Sequence, residues 1–128
     1  LREAKRAVKT KRLAAVATGV IISTVTDVKT GAQNSVITAG RNIRIHGARL
    51  KIAGDDPSVG LFFEPEAGGP AVAVDASDIV INHPTEIIAL APNLAPGAYR
   101  LRLVTQYTGA AYLKHPHTAV FDKVLTVQ

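Results

Sequence analysis

From residue 20 onward, apolar and polar residues alternate over short stretches that glycine and proline separate. The clearest stretch runs from Tyr99 to Tyr107, and its sequence YRLRLVTQY places two arginines between apolar residues. A period of two is that of a β-strand with one packed face and one solvated face. No stretch after residue 20 keeps the 3.6-residue period of an amphipathic helix over several turns. The pattern therefore predicts an all-β domain.

Turn signals divide this part of the chain into many short strands. Glycine and proline supply the unusual dihedrals and the missing N–H groups that end a strand. Strands of this length and spacing are typical of a sandwich or a barrel, and we predict an antiparallel β-sandwich over residues 20–128. The predicted strands are Val20–Val28, Asn34–Thr38, Arg41–His46, Leu50–Ile52, Val59–Glu64, Ala71–Val74, Asp78–Asn82, Glu86–Leu90, Tyr99–Tyr107 and Ala119–Val127.

A proline-glycine turn comes directly before the clearest strand. Leu94, Pro96, Gly97 and Tyr99 form the string L-x-P-G-x-Y, followed by L-x-L. This string resembles the corner of immunoglobulin-like and fibronectin-type sandwiches, in which a tyrosine at the start of the sixth strand hydrogen-bonds back across the preceding turn. The resemblance predicts that role for Tyr99.

Several strings, in order, resemble a family of bacterial domains of unknown function with an immunoglobulin-like fold. Members of this family usually lie C-terminal to a histone-like (HU-like) DNA-binding domain. The resemblance covers about residues 20–128. Its strings are VTDVKTG at 25–31, ITAGRNIRIHGARLKIAG at 37–54, VGLFF at 59–63, INHP at 81–84, LxPGxYRLRLVTQ at 94–106 and LKHPHTAVFDKVLTV at 113–127. It implies an immunoglobulin-like sandwich, tethered to a DNA-binding neighbour, and assigns no catalytic or ligand residue.

The net charge is concentrated at the N-terminus. The whole chain of 128 residues has a formal charge of +5. Residues 1–12 hold one acid, Glu3, and six basic residues, which are Arg2, Lys5, Arg6, Lys9, Lys11 and Arg12. The remaining residues contain nine basic and nine acidic side chains and are neutral in sum. We therefore predict a neutral body with a basic arm, and any weak nucleic-acid contact is expected from the six basic residues of that arm.

Residues 1–19 are interpreted as a linker or arm, and two local structures remain open for it, a solvated linker and a short helix. Its basic residues precede the apolar stretch LAAVATGVII at 13–22, as in a signal peptide. That stretch is rich in β-branched residues towards its end and is better interpreted as the start of the first strand. Because the chain opens with Leu1, we expect a domain upstream of it.

Candidate metal ligands are few. His115 and His117 would project to the same side of an extended segment, but two imidazoles make half a zinc site, which His46 and His83 would complete only through the tertiary fold. Asp55 and Asp56 with Ser58, or Glu64 with Glu66, could offer oxygens to Ca²⁺ without the spacing of a dedicated loop. Exposed histidines and a capped Gly-Asp-Asp-Pro turn are the preferred interpretations. We predict no metal and no cofactor.

Catalytic motifs are absent from the sequence. The chain has no cysteine, and none of its serines, Ser23, Ser35, Ser58 and Ser77, lies in G-x-S-x-G. It also lacks the glycine-rich phosphate loops G-x-x-x-x-G-K-[ST] and G-x-G-x-x-G. We expect that the protein is not an enzyme.

The sandwich itself could bind sugars or nucleic acid. Sugar binding would rest on exposed aromatic rings, and only Tyr107 and Tyr112 remain if Phe62, Phe63, Tyr99 and Phe121 belong to the core. Nucleic-acid binding by the sandwich would need the basic residues Arg41, Arg44, Arg49, Lys51, Arg100 and Arg102 to gather on one face. Nine acids dilute that field, and no known DNA- or RNA-binding motif is present.

Two function classes follow from these observations. The first is a non-catalytic accessory or interaction domain of unknown ligand, attached to a histone-like DNA-binding protein in the cytoplasm and nucleoid. The alternative is an extracytoplasmic immunoglobulin-like module for adhesion or glycan binding. The sequence upstream of residue 1 would separate them, since it would hold either a histone-like segment or a secretory signal.

Overall fold

The computed structural model describes residues 20–107 and 115–128, and these form two β-sheets that face each other across one apolar core. The predictions for the arm, residues 1–19, lie outside the described residues, as does Tyr112. Within the described ranges, no helix is long and apolar enough to cross a membrane. The prediction of an all-β sandwich is confirmed.

The first sheet is antiparallel throughout and has four strands, in the order β1–β3–β7–β6. Its strands are β1 (Ile21–Asp27), β3 (Asn42–Ala48), β6 (Ile79–Asn82) and β7 (Glu86–Leu90). The single 3₁₀ turn of the described residues, Ala76–Asp78, leads into β6. In β3, Ile43 and Ile45 are fully buried while their neighbours are exposed, which is the alternation that the sequence predicts.

The second sheet is mixed and has six strands. Its strands are β2 (Val36–Ile37), β4 (Gly60–Pro65), β5 (Val72–Ala73), β8 (Gly97–Thr105), β9 (His117–Val120) and β10 (Leu125–Val127). The order is β2–β10–β8–β4–β5, and β9 pairs with the far end of β8. One pair departs from the antiparallel arrangement, since β2 runs parallel to β10.

The core consists of the inward residues of both sheets. Phe63 and Tyr99 meet edge to face, with ring centroids 6.5 Å apart and an interplanar angle of 88°, the arrangement that ring quadrupoles favour. The other large side chains that are fully buried are Val25, Ile37, Ile43, Ile45, Leu50, Leu61, Ile87, Leu101, Leu103, Phe121 and Leu125. The assignment of Phe62 to the core is wrong, because the alternation of β4 turns this ring to the outer face.

Two predicted strands differ in the structure. Leu50–Ile52 pairs with no strand: the Leu50 N–H donates to the Pro84 carbonyl at 2.7 Å, and side chains of neighbouring elements bond the backbone of Lys51 and Ile52, as described below. The predicted strand Ala119–Val127 is interrupted around Asp122, where the chain bends, and its two halves form β9 and β10 on the same edge of β8. Between them, the Phe121 N–H still donates to the Leu101 carbonyl at 2.8 Å, so the ladder is nearly continuous.

The tyrosine corner is present. The Tyr99 hydroxyl donates to the Ala95 carbonyl at 2.7 Å, across the turn that carries Pro96. The ring is 6% exposed and lies against Phe63. The role predicted for Tyr99 is therefore confirmed, and the corner fixes how the chain enters β8.

Tyr99→Phe removes this hydrogen bond and leaves the ring in place. We expect a loss of about 1 kcal/mol in the free energy of unfolding, the usual net value of one such bond. Urea denaturation measures it, with Tyr107→Phe as the matched control, because the Tyr107 hydroxyl bonds no other residue of the described ranges. Equal stability of the Tyr99 variant and the native chain would contradict the corner assignment.

Candidate functional site

The outward arginines of the two sheets are each paired with a glutamate. In the second sheet, Arg100 Nε lies 2.6 Å from Glu66 Oε2, and Arg102 Nη1 lies 3.0 Å from Glu64 Oε2. In the first sheet, Arg44 Nε lies 3.0 Å from Glu86 Oε2. The register of β4 and β8 places Glu64 opposite Arg100 and diagonal to Arg102, and Glu66 follows directly after β4, so both ion pairs are diagonal contacts between these two segments.

The fold separates the basic residues that might have formed one surface. Arg44 lies on β3 of the first sheet, whereas Arg100 and Arg102 lie on β8 of the second, and the two sheets turn their outer faces in opposite directions. These three arginines therefore do not gather on one face, as nucleic-acid binding by the sandwich would require. Because each of these three arginines is also paired with a carboxylate, the described strands β3 and β8 present no row of free arginines to a phosphate backbone.

One fully buried carboxylate connects two of the loops. Asp27 is 0% exposed at the end of β1, and its Oδ2 accepts hydrogen bonds from the hydroxyls of Thr30 and Thr38, each at 2.8 Å. Its backbone carbonyl accepts from the Gly31 N–H at 2.7 Å. The other carboxylate oxygen, Oδ1, has no partner in the described residues. Asp27 thus fixes the 27–31 turn against the segment that leads into β3.

Two basic residues stand on the outside of this connection. Lys29 and Arg41 line a groove of about 270 Å³ together with Val28, Asn42 and Leu90, and we call these five residues the Lys29 groove. Within the described ranges, neither Lys29 nor Arg41 forms an ion pair. The groove therefore carries two positive charges and, in its lining, no carboxylate.

A second groove, of about 430 Å³, lies on the outer face of the second sheet. The Arg102 guanidinium lies 4.5 Å from the centroid of the Phe62 ring and forms part of the wall, with Val104 and Pro116. This cation–π contact explains why Phe62 is half-buried outside the core. Glu64 engages this guanidinium through Nη1, whereas the buried Nε has no partner in the described residues, so the groove offers an apolar wall and a guanidinium that is partly engaged.

Several of the polar residues considered as metal ligands bond other residues of the protein. Asp56 accepts from the Ser58 hydroxyl at 2.7 Å and from its N–H at 2.9 Å, and these two bonds hold the pKa of the Asp56 carboxyl below its usual value. This is the capped turn that the sequence favours over a calcium loop. His46 lies 3.3 Å from Glu86 on β7. No cluster of three metal-ligating side chains is present in the parts of the chain that the structure describes.

The aromatic platform considered for sugars is reduced in the structure. Lys51 Nζ lies 5.9 Å from the centroid of the half-buried Tyr107 ring and occupies one of its faces. Tyr112 belongs to the part that the structure does not describe.

Polar residues of the family-like strings bond the segment that follows β3. The Asn82 side chain accepts from the Ile52 N–H at 2.8 Å and donates to the Ile52 carbonyl at 2.9 Å, as a neighbouring strand would. The Thr105 hydroxyl donates to the Lys51 carbonyl at 2.6 Å. The Gln106 side chain accepts from the Asp56 N–H at 3.0 Å. These side chains bond backbone groups between Lys51 and Asp56, and the predicted strand at 50–52 is absent from this segment.

A family model described as a domain of unknown function (DUF4469) with an IG-like fold matches residues 21–119. The chain belongs to this family. The match covers most of the sandwich, and the family resemblance of the sequence is confirmed to that extent. The DUF4469 domain thus has a known fold and no assigned activity.

The chain resembles a solved structure at substantial identity. A protein of Bacteroides vulgatus, described as a "Putative bacterial DNA binding protein", shares 36% identity with a TM-score of 0.78, and the match covers 84% of this chain and 46% of that one. The chain therefore spans about half the length of this neighbour. PcoC, a methionine-rich copper resistance protein of Escherichia coli, shares 14% identity at a TM-score of 0.48 over 86% of this chain and 99% of that one. No curated protein matches the chain.

Proposed function

We propose that this DUF4469 domain is a non-catalytic accessory domain of a DNA-associated protein, joined to a histone-like DNA-binding domain, and that DNA contact by the chain itself is made by residues 1–12. The observation that carries the proposal is the distribution of charge. All of the net charge lies in the arm, and the outward arginines of the sandwich are paired with glutamates.

The neighbour and the length of the match support the DNA association. The Bacteroides vulgatus protein is about twice as long as the matched region, and its description refers to DNA binding. The family strings resemble domains that follow a histone-like segment. On this proposal the protein acts in the cytoplasm, on the nucleoid.

The buried polar side chains support a non-catalytic role. Asp27, Thr105 and Gln106 are the buried polar residues of the described ranges, and each accepts or donates hydrogen bonds that hold a loop. A catalytic group needs a nucleophile or base that faces a substrate, and these groups face the protein's own backbone and hydroxyls.

The salt dependence of DNA binding tests the proposal. Six basic residues neutralise at most six phosphates, so we expect a slope of log K against log salt concentration no steeper than about −5 for the full chain, with a Kd near roughly 10⁻⁴ to 10⁻⁶ M at physiological salt. Replacing Arg2, Lys5 and Arg6 by glutamine should make the slope shallower by about 2.7, at roughly 0.9 for each lost phosphate contact. Fluorescence anisotropy of a labelled duplex at several salt concentrations measures both slopes.

A matched variant separates the arm from the sandwich. Replacing Arg44, Lys51 and Arg100 by glutamine removes the same charge from the sandwich, at two exposed positions and at the half-buried Arg100. We expect this variant to keep the slope of the unmodified chain. A sandwich variant that loses as much slope as the arm variant would refute the proposal, because the sheet faces would then contact phosphates directly.

A further inference from the structure

The Lys29 groove differs from the arginine-bearing strands β3 and β8 in its charge. On the two sheet faces, Arg44, Arg100 and Arg102 each have a glutamate within 3.0 Å or less. Lys29 and Arg41 line one groove and, within the described residues, form no ion pair. Two uncompensated cations side by side create a local positive potential, and such a potential attracts an anionic group.

The groove is held in shape by its own backbone. The Val28 N–H donates to the Asn42 carbonyl at 3.1 Å, and the Ala91 N–H donates to the Arg41 carbonyl at 2.9 Å. Beneath them, Asp27 bonds Thr30 and Thr38 and so fixes the two loops that carry Lys29 and Arg41. A site that is rigid before binding loses less conformational entropy when a ligand arrives.

Apolar side chains flank the two cations. Val28 is 48% exposed and Leu90 is 36% exposed, both on strands or loops of the first sheet that border Asn42. A nucleic-acid backbone carries only sugar C–H groups between its charges, so it offers these two side chains less apolar contact than a hydrophobic residue would. A peptide in which an acidic residue adjoins an apolar one would satisfy both parts of the groove.

The size of the groove also favours a segment of a larger partner. Its volume of about 270 Å³ lies below the roughly 300–1,000 Å³ of pockets that enclose small ligands.

Arg41 can bind a carboxylate through two parallel N–H groups, and the Asn42 amide can add a further donor.

From these observations we propose that the Lys29 groove binds an acidic peptide segment of a partner protein, in which a carboxylate lies between Lys29 and Arg41 and a neighbouring apolar side chain packs on Val28 and Leu90. This inference goes beyond the proposed function. The peptide site consists of residues 28–29, 41–42 and 90, whereas the proposed DNA contact consists of residues 1–12. The two proposals rest on different residues, and each can fail without the other.

A peptide titration tests the groove in the full chain. The probe is a short capped peptide of alternating glutamate and leucine, added to ¹⁵N-labelled protein while amide shifts are followed by NMR. We expect shifts at Val28, Arg41, Asn42 and Leu90. The double variant Lys29→Gln with Arg41→Gln should weaken binding by at least about tenfold, as expected when a charge-assisted hydrogen bond is lost.

Matched controls test whether the positive charges must lie in the groove and whether both groups of the peptide contribute to binding. The double variant Lys51→Gln with Arg100→Gln removes one lysine and one arginine outside the groove and should keep the affinity. Two altered peptides should bind more weakly than the glutamate–leucine probe. A glutamine–leucine peptide lacks the carboxylate, and a glutamate–serine peptide lacks the apolar side chain.

Three results would overturn the inference. One is the absence of shifts at the groove with the glutamate–leucine peptide. The second is an equal loss of affinity in the two double variants, which would mean that net charge alone attracts the peptide. The third is occupation of the groove by inorganic phosphate or a DNA duplex with an affinity equal to that of the peptide, which would assign the site to phosphate.

Discussion

Asp27→Ala is expected to lower the free energy of unfolding by about 3 kcal/mol, because hydrogen bonds to a buried charged acceptor are worth roughly 1.5–3 kcal/mol each. The carboxylate is fully buried and accepts from Thr30 and Thr38. Alanine leaves the half-buried Thr38 hydroxyl without its acceptor and removes the connection between the two loops. Urea denaturation, followed by circular dichroism, gives the change.

Asp27→Asn is the control for charge. An amide oxygen at the same position can accept from both hydroxyls, so we expect this variant to lose less stability than Asp27→Ala. Thr30→Ala removes one of the two bonds to Asp27 and the bond that the exposed Thr30 hydroxyl accepts from the Ala32 N–H, and it leaves the Thr38 bond in place, so it should lose less than Asp27→Ala. An alanine variant as stable as the native chain would show that Asp27 does not hold the loops together.

Gly47→Ala is expected to cost about 3 kcal/mol or more, since overpacking beyond what a neighbour can yield is strongly destabilising. A Cβ at this position would lie 1.9 Å from the backbone oxygen of Ile21, on the paired strand β1. A backbone atom in a sheet cannot move aside as the end of a side chain can. The variant must therefore shift β1 or lose part of its pairing with β3.

Gly40→Ala separates steric overlap from backbone strain. Gly40 has a φ of +74° and no atom within 4 Å of the added Cβ, so we expect a loss of only about 1 kcal/mol from the left-handed conformation. Thermal unfolding of both variants tests the comparison. Equal losses would mean that the close approach of β1 to Gly47 carries no special cost.

The strands that the sequence predicted well are those with one wet and one packed face. In β3 and β8, isoleucine or leucine alternates with arginine, and this period is decided within a few residues of chain. Glu86–Leu90 has the predicted boundaries. The corner at Tyr99 was also predictable, because its proline, glycine and tyrosine lie within six residues of sequence.

Features that depend on distant parts of the chain were not predictable in the same way. Ile52 resembles a strand residue in sequence, but the Asn82 side chain, 30 positions away, takes its backbone groups. Phe62 is an aromatic residue in an apolar run, and only the register of β4 shows that it faces outward beneath Arg102. The parallel pairing of β2 with β10 joins Val36 and Ile37 to Thr126 and Val127, which are far apart in the sequence.

In the candidate site, too, some features follow from the local sequence and others depend on contacts between distant residues. The excess charge of the arm is visible in composition, whereas the pairing of Arg44 with Glu86 depends on the register between β3 and β7. The Lys29 groove brings together residues 28–29, 41–42 and 90, which no local motif connects. The string VTDVKTG contained both the buried Asp27 and the exposed Lys29, and the sequence did not distinguish their roles.

An NMR footprint of a DNA duplex on the full ¹⁵N-labelled chain tests the central claim most directly. If the sandwich is an accessory domain and the arm contacts DNA, amide shifts at low salt will be confined to residues 1–12 and their immediate neighbours. Arg44 on β3 and Arg100 and Arg102 on β8 will keep their shifts. Perturbation of either sheet face by DNA, with the arm unaffected, would contradict the account.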